Sequence, residues 1–140
     1  MIVASNDSMI AAYSISIAIG KAQSTNRILR KLNSQLIQTK CLKALQKEFP
    51  SGDEEDGGVH LANSLAPSDV TEWQAWPPIA RPNIGEYPPG DMFPKTAKDL
   101  ELLDHARILQ LIAFYNDPFA IRIEDDIELR REKFRFWCTE

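Results

Sequence analysis

Ile28, Leu29, Leu32 and Leu36 recur at three- and four-residue spacing, behind Ser24-Thr25-Asn26, which offers helix caps, and ahead of a stop at Pro50. The spacing predicts a helix from about 25 to 48. At about 100° per residue, Leu42, Leu45 and Phe49 point away from Leu29, Leu32 and Leu36, so this helix would change its buried face near Thr39-Lys40. Residues 13–19, Tyr-Ser-Ile-Ser-Ile-Ala-Ile, alternate large apolar with small side chains and fit two elements. One is a helix capped by Asp7 or Ser8, with Gly20-Lys21 either a turn after it or a weak point inside it, which we favour because no partner strand is evident. The other is a short strand with β-branched residues on one face.

Further along, Thr96-Ala97-Lys98-Asp99 has the form of a capping box and opens a predicted helix to about Tyr115. Leu100, Leu103, Leu111 and Phe114 form one face of it, with Leu102, Leu109, Ile112 and Ala113 around the back. A helix apolar nearly all round is buried on several sides. Asn116-Asp117-Pro118 stops it, Phe119 to Ile123 reads as a short strand or a helical turn, and Asp125-Asp126 opens a last helix from Ile127 to about Cys138. There Glu128 and Glu132 are spaced to pair with Arg131, Lys133 and Arg135.

Two stretches have no period. Ser51-Gly52-Asp53-Glu54-Glu55-Asp56-Gly57-Gly58 reads as a solvated acidic linker, without the ligand spacing of a calcium loop. Pro67 to Pro94 holds seven of the nine prolines and two of the three tryptophans, Trp73 and Trp76, which rules out a long helix or a central strand. Its large aromatics must still be covered, by the chain's own helices or by another protein. The expected fold is therefore mainly α, with α+β the alternative if 13–19 is a strand. Four segments follow: basic helical 1–49, acidic linker 50–66, extended Pro/Trp-rich arm 67–95 and a C-terminal helical unit 96–140.

Charge sharpens this picture. The net charge is -4, yet residues 1–49 carry seven Lys or Arg against Asp7 and Glu48, while 50–140 carry nine basic and eighteen acidic groups. Unlike segments of this kind neutralise each other within one molecule or stack front to back between copies. Cys41 and Cys138, both in segments read as helical, are expected to be buried free thiols rather than a disulfide. The apolar run Met9–Ile19 is too short for a membrane span, and with Asp7 and no Lys or Arg before it there is no signal-peptide n-region. The expected location is cytoplasmic or inside an intracellularly assembled particle.

Candidate chemistry is sparse. Gly20-Lys21 fails as a phosphate loop, because Ile15 and Ala22 stand where the motif needs Gly and Ser or Thr, and no GxGxxG, HExxH, GxSxG or CxxC occurs. His60 reads as a solvated or partner-contacting residue in a loop. His105, with Glu101 one predicted turn before it and Asp104 beside it, is the one acid–base candidate, without a positioned nucleophile. Arg27, Arg30, Lys31, Lys40, Lys43 and Lys47 could line phosphates. The acidic remainder of the chain opposes that. Phe134 and Trp137 share a helical stripe with Ile127 and Arg131, which favours core packing, although aromatics mixed with Arg can also anchor an interface.

The expectation is a non-enzymatic structural or interaction protein, an oligomerising subunit of a larger protein assembly such as a virion head, neck or tail. It needs no cofactor or metal, and Trp73, Trp76, Tyr87, Phe93 and Trp137 are its partner-binding anchors. The alternative is a small nucleic-acid-binding or regulatory protein acting through Arg27, Arg30, Lys31, Lys40 and Lys43. A third class is an enzyme using His105 with Glu101.

Overall fold

The computed structural model describes residues 2–36, 41–50, 57–70, 73–74 and 84–139, with backbone alone for 2–13, 36 and 57. Among these residues every regular element is a helix: α1 Ile2–Leu36, α2 Gly57–Ser64, α3 Ala97–Glu101, α4 His105–Tyr115 and α5 Ile127–Thr139. A mainly α fold is therefore correct. Residues 13–19 are helical, part of a 35-residue α1 about 52 Å long.

The predicted helix over 25–48 is corrected. Residues 41–50 have no regular structure and run as an extended segment whose Leu42 and Leu45 enter the core. The reversal of the apolar face reflects described residues 41–50 that are not helical, not a helix that changes neighbours. The linker assignment is corrected at its C-terminal end, because residues 57–64 form α2. His60 accordingly lies on a helix. Asp53 to Asp56 fall outside the described residues.

The predicted helix over 96–115 is two helices. Thr96 caps α3 as expected, its hydroxyl accepting from Asp99 N at 3.1 Å. Leu102 then leaves helical geometry (φ -101°, ψ 3°), and Asp104, extended at φ -95° and ψ 173°, caps α4 by accepting from Arg107 N at 2.8 Å. The break turns Leu102 out to 67% exposure, against its predicted place on a buried back face. Arg107, Nη1 to Asp91 O at 2.5 Å, ties the start of α4 to the arm. Asn116, left-handed at φ 50°, closes α4. Phe119 and Ala120 are also left-handed (φ 53° and 62°), so this stretch is neither strand nor helical turn. Asp117 steers it by accepting from Phe119 N at 2.9 Å. Burial of Phe119 between Tyr115, Phe134 and Trp137 offsets the cost of its backbone, about 1 kcal/mol for such a residue.

The core gathers around α4. Ile108, Leu109, Leu111 and Ile112 are fully buried and meet Ala62 of α2, Leu42 and Leu45 of the extended segment, Met92 and Phe93 of the arm, and Phe134 and Cys138 of α5. The described parts of the arm thus lie on their own molecule. Phe93 packs on Phe134 at 5.6 Å between ring centres, Leu42 N donates to Lys95 O at 2.6 Å, and Lys47 makes backbone hydrogen bonds with Glu86 and Gly85.

The N-terminus of α5 is an inward-facing polar knot. Asp126 caps it by accepting from Leu129 N. Asp125 accepts from Lys133 Nζ at 2.6 Å and from Arg122 N at 2.8 Å, which holds its carboxyl below the usual range. Fully buried Arg130 donates to the backbone oxygens of Asp125, Arg122 and Ile123. Lys133 therefore pairs with Asp125, and Arg131 donates through Nε to Leu103 O at 2.6 Å. These are not the partners that helical spacing with Glu128 and Glu132 predicts.

Candidate interaction site

At 3.6 residues per turn α1 has two stripes. Ala22, Asn26, Leu29 and Asn33 fall within an arc of about 60°. Ala22 and both asparagines are buried, and Leu29 packs against the core. This is the face that docks on the molecule. Asn26 holds Gln46 by both backbone groups, accepting from its N–H and donating to its carbonyl, each at 2.7 Å. Two turns later Asn33 does the same to Lys43, at 2.6 and 2.9 Å, and also donates to Cys138 O at 2.9 Å. Seven helical residues rise about 10.5 Å and three extended residues span about 10 Å, so the two clamps match in register. Arg30 completes the dock. Its Nε donates to Trp137 O at 2.8 Å, its guanidinium lies 5.3 Å from the Trp137 ring centre, and it pairs with buried Glu48 at 3.8 Å. A cation and an amide at the last carbonyls of α5 also suit the negative end of that helix.

On the opposite side, Ile17, Lys21, Ile28, Lys31 and Leu32 fall within an arc of about 100°. Ile28 is 62% exposed there, and Ile17, Leu32, Lys21, Lys31 and flanking Arg27 are exposed as well. Toward the N-terminus even Ile15, on the extension of the docking stripe, is 46% exposed. From Ser14 to Ile17 every side chain faces solvent, so α1 projects past the body it docks on.

The sequence-derived residues divide accordingly. Of the anchors, Trp73 is half-buried and donates through Nε1 to Asn63 of α2 at 3.0 Å. Neighbouring Gln74 accepts at its carbonyl from Gln110 of α4. Phe93 is in the core, and Trp137 packs with Tyr115, Phe119 and Phe134 while its indole donates to Asp117 at 3.1 Å. Tyr87 is half exposed, its hydroxyl accepting from Gln46 Nε2 at 3.0 Å. Trp76 and Lys40 lie outside the described residues. Of the basic set, Arg27, Lys31 and Lys43 are exposed, while Arg30 is spent on the dock. Apolar periodicity misses the clamps, because Asn26 and Asn33 are polar. Their spacing of seven, continuing the stripe of Ala22 and Leu29, is the available signal.

Glu101 and His105 lie on different helices, α3 and α4, so the predicted one-turn pair is not formed. His105 Nδ1 is a buried atom with no hydrogen-bond partner among the described residues, and burial together with nearby Arg130 lowers the imidazole pKa below its ordinary value. Cys41 is exposed, against the expected burial, while Cys138 is buried and its thiol is pushed up to about 12. Both are free.

Lys47 is the strongest electrostatic feature. It is fully buried, its Nζ donates to Phe114 O at 2.7 Å at the C-terminal end of α4, and burial brings its pKa down to about 8 against the pull of Glu86. Because folding lowers this pKa, the unfolded chain binds more protons between about pH 8 and about pH 10.5, and stability rises with pH across that window. A neutral amine still has N–H groups to donate to Phe114 O. Relative to Lys47→Met, the wild type should gain in denaturant midpoint as pH is raised through the window, a comparison that cancels the contribution of buried Tyr115. Parallel pH profiles would refute the assignment.

Among the described residues no helix is long and apolar enough to cross a membrane, and no group of three or more His, Cys, Asp and Glu is placed to hold a metal ion. In comparison with known proteins, no family model, curated protein or solved structure matches this chain.

Proposed function

We propose that this chain is a non-enzymatic subunit of a larger protein assembly, of the kind that builds virion heads, necks or tails, and that α1 is its contacting element. The observation that carries this reading is the exposure of large apolar side chains along the outer face of α1, with Ile28 at 62%, Ile17 at 42% and Leu32 at 39%, on a helix that outruns its own core. Scattered exposed apolar residues need no explanation, but a row of them along one projecting helix is the composition of a contact surface. The arm keeps a supporting role. Its described anchors Trp73 and Phe93 brace the molecule that presents α1, and Tyr87 stays available at the surface. The nucleic-acid reading is weaker with Arg30 turned inward, which leaves on α1 Arg27 and Lys31 beside exposed Ile28 and Leu32, with Lys43 on a separate segment.

Light scattering across a wide dilution series tests the proposal. The wild type should exceed monomer mass, and Ile17→Ser with Ile28→Ser should return it to a folded monomer. A wild type that stays monomeric at every concentration would overturn it. So would DNA or RNA binding that falls steeply with salt and is lost in Arg27→Glu with Lys31→Glu.

A further inference from the structure

We infer that the occupant of the outer face of α1 is a second copy of this chain, met through an acidic groove at the start of α5, the end away from the α1 dock, so that copies join head to tail. The inference rests on the assembly reading above and names its partner. Symmetric packing of α1 on α1 would set Lys21, Arg27 and Lys31 against the same residues of the other copy, and like charges facing each other oppose association. The face has the reverse requirement: an apolar depression for Ile28, rimmed by carboxylates for Arg27 and Lys31. Among the described residues such a surface lies at the junction of the α2–arm turn with the start of α5. It is an open groove of about 600 Å³ whose lining includes Pro67, Asp69, His105, Ile123, Glu124 and Asp126.

The groove offers apolar surface from Pro67 and from Ile123, 53% exposed, and its rim places Asp69, Glu124 and Asp126 at the surface. The match is in type: an exposed isoleucine with Arg27 and Lys31 beside it on one surface, and apolar surface with exposed carboxylates on the other, of which Glu124 is shared with Arg122 at 3.7 Å. Because the two surfaces differ, each copy keeps one of each after pairing, and association proceeds to a ring or a filament instead of stopping at two. The charge segregation between residues 1–49 and 50–140 acquires a use in this arrangement.

The test is a charge reversal on the helix face and a charge removal in the groove, with circular dichroism confirming the fold of each. Arg27→Glu with Lys31→Glu disables the helix face, and Asp69→Asn with Glu124→Gln disables the groove while leaving Asp126 to cap α5. Each variant alone should be monomeric by light scattering. Mixed, the groove-intact and helix-intact variants should form a single 1:1 dimer that grows no further, and raised salt should weaken it. If the groove variant still assembles like the wild type, the head-to-tail inference falls while α1 remains a contact element. If the wild type assembles and the mixture gives no dimer, the groove is not the partner surface. A wild type monomeric at every concentration removes both readings.

Discussion

Gly58→Ala should destabilise the protein by about 2 kcal/mol or more, although alanine is the better helix former by about 1 kcal/mol. Gly58 is buried near the start of α2, where that helix crosses α4. A Cβ there would overlap the carbonyl oxygen of Ala113 and sit 2.8 Å from its carbonyl carbon and 3.0 Å from its Cα. The obstacle is helix backbone, so no rotamer change relieves it, and α4 cannot retreat because Ile108, Leu109, Leu111 and Ile112 are fully buried around it. Overpacking of this kind costs about 1–3 kcal/mol, with the upper end expected where backbone must move. Gly20 is the control. It lies inside α1, and a methyl group added there would meet nothing within 4 Å, so Gly20→Ala should stabilise by up to about 1 kcal/mol. Denaturant midpoints moving in opposite directions for the two substitutions are the expected result. A neutral or stabilising Gly58→Ala would mean that α2 does not approach α4 as described.

The same glycine shows where sequence reading stops. Gly57-Gly58 after four acids looks like linker punctuation, and nothing local reveals that the second glycine is there for close approach to a helix more than fifty residues away. Elements decided by local chemistry are legible. The Thr96 cap and the start of α5 behind Asp126 follow from side chains that bond their own neighbouring amides. Helicity across 13–19 is favoured by the sequence but not decided by it, since alternation of Ile with Ser and Ala satisfies either period. Elements decided by tertiary contact are not legible. Leu42 and Leu45 are as apolar as any helix stripe, and what holds their segment out of a helix is distant capture of its backbone, by Asn26 and Asn33, by Tyr115 and by the arm. The arm shows the same division. Its prolines declare irregular structure, while its covering by α2, α4 and α5 depends on the whole fold. For the interaction surface, charge segregation is visible at once, but the exposed residues that carry the surface are α1 isoleucines whose burial no local pattern decides.

The second large effect is expected at Asn33. Replacing it by alanine removes three hydrogen bonds at once, from Lys43 N at 2.6 Å and to Lys43 O and Cys138 O at 2.9 Å each. Since Asn33 is fully buried, water does not simply take its place, and stranded backbone groups cost about 1–3 kcal/mol each when they stay dry. Lys43 is exposed, so its two groups recover part of that by hydration, and about 2–4 kcal/mol is the expected net loss. Asn33→Asp separates geometry from packing. The carboxylate keeps the acceptor for Lys43 N but turns an anion toward two carbonyl oxygens, so it should be no better than alanine. Hydrogen exchange gives the sharper readout. In the wild type the Lys43 and Gln46 amides should both be protected, each by its own asparagine. Asn33→Ala should release the Lys43 amide first and Asn26→Ala the Gln46 amide first, because the clamps sit two turns apart on a rigid helix. A Lys43 amide that stays protected in Asn33→Ala would show that the extended segment is held by its core leucines alone. Loss of both amides together in either variant would instead make the docking of α1 a single cooperative step, in which case the pose of its projecting apolar end depends on two buried asparagines.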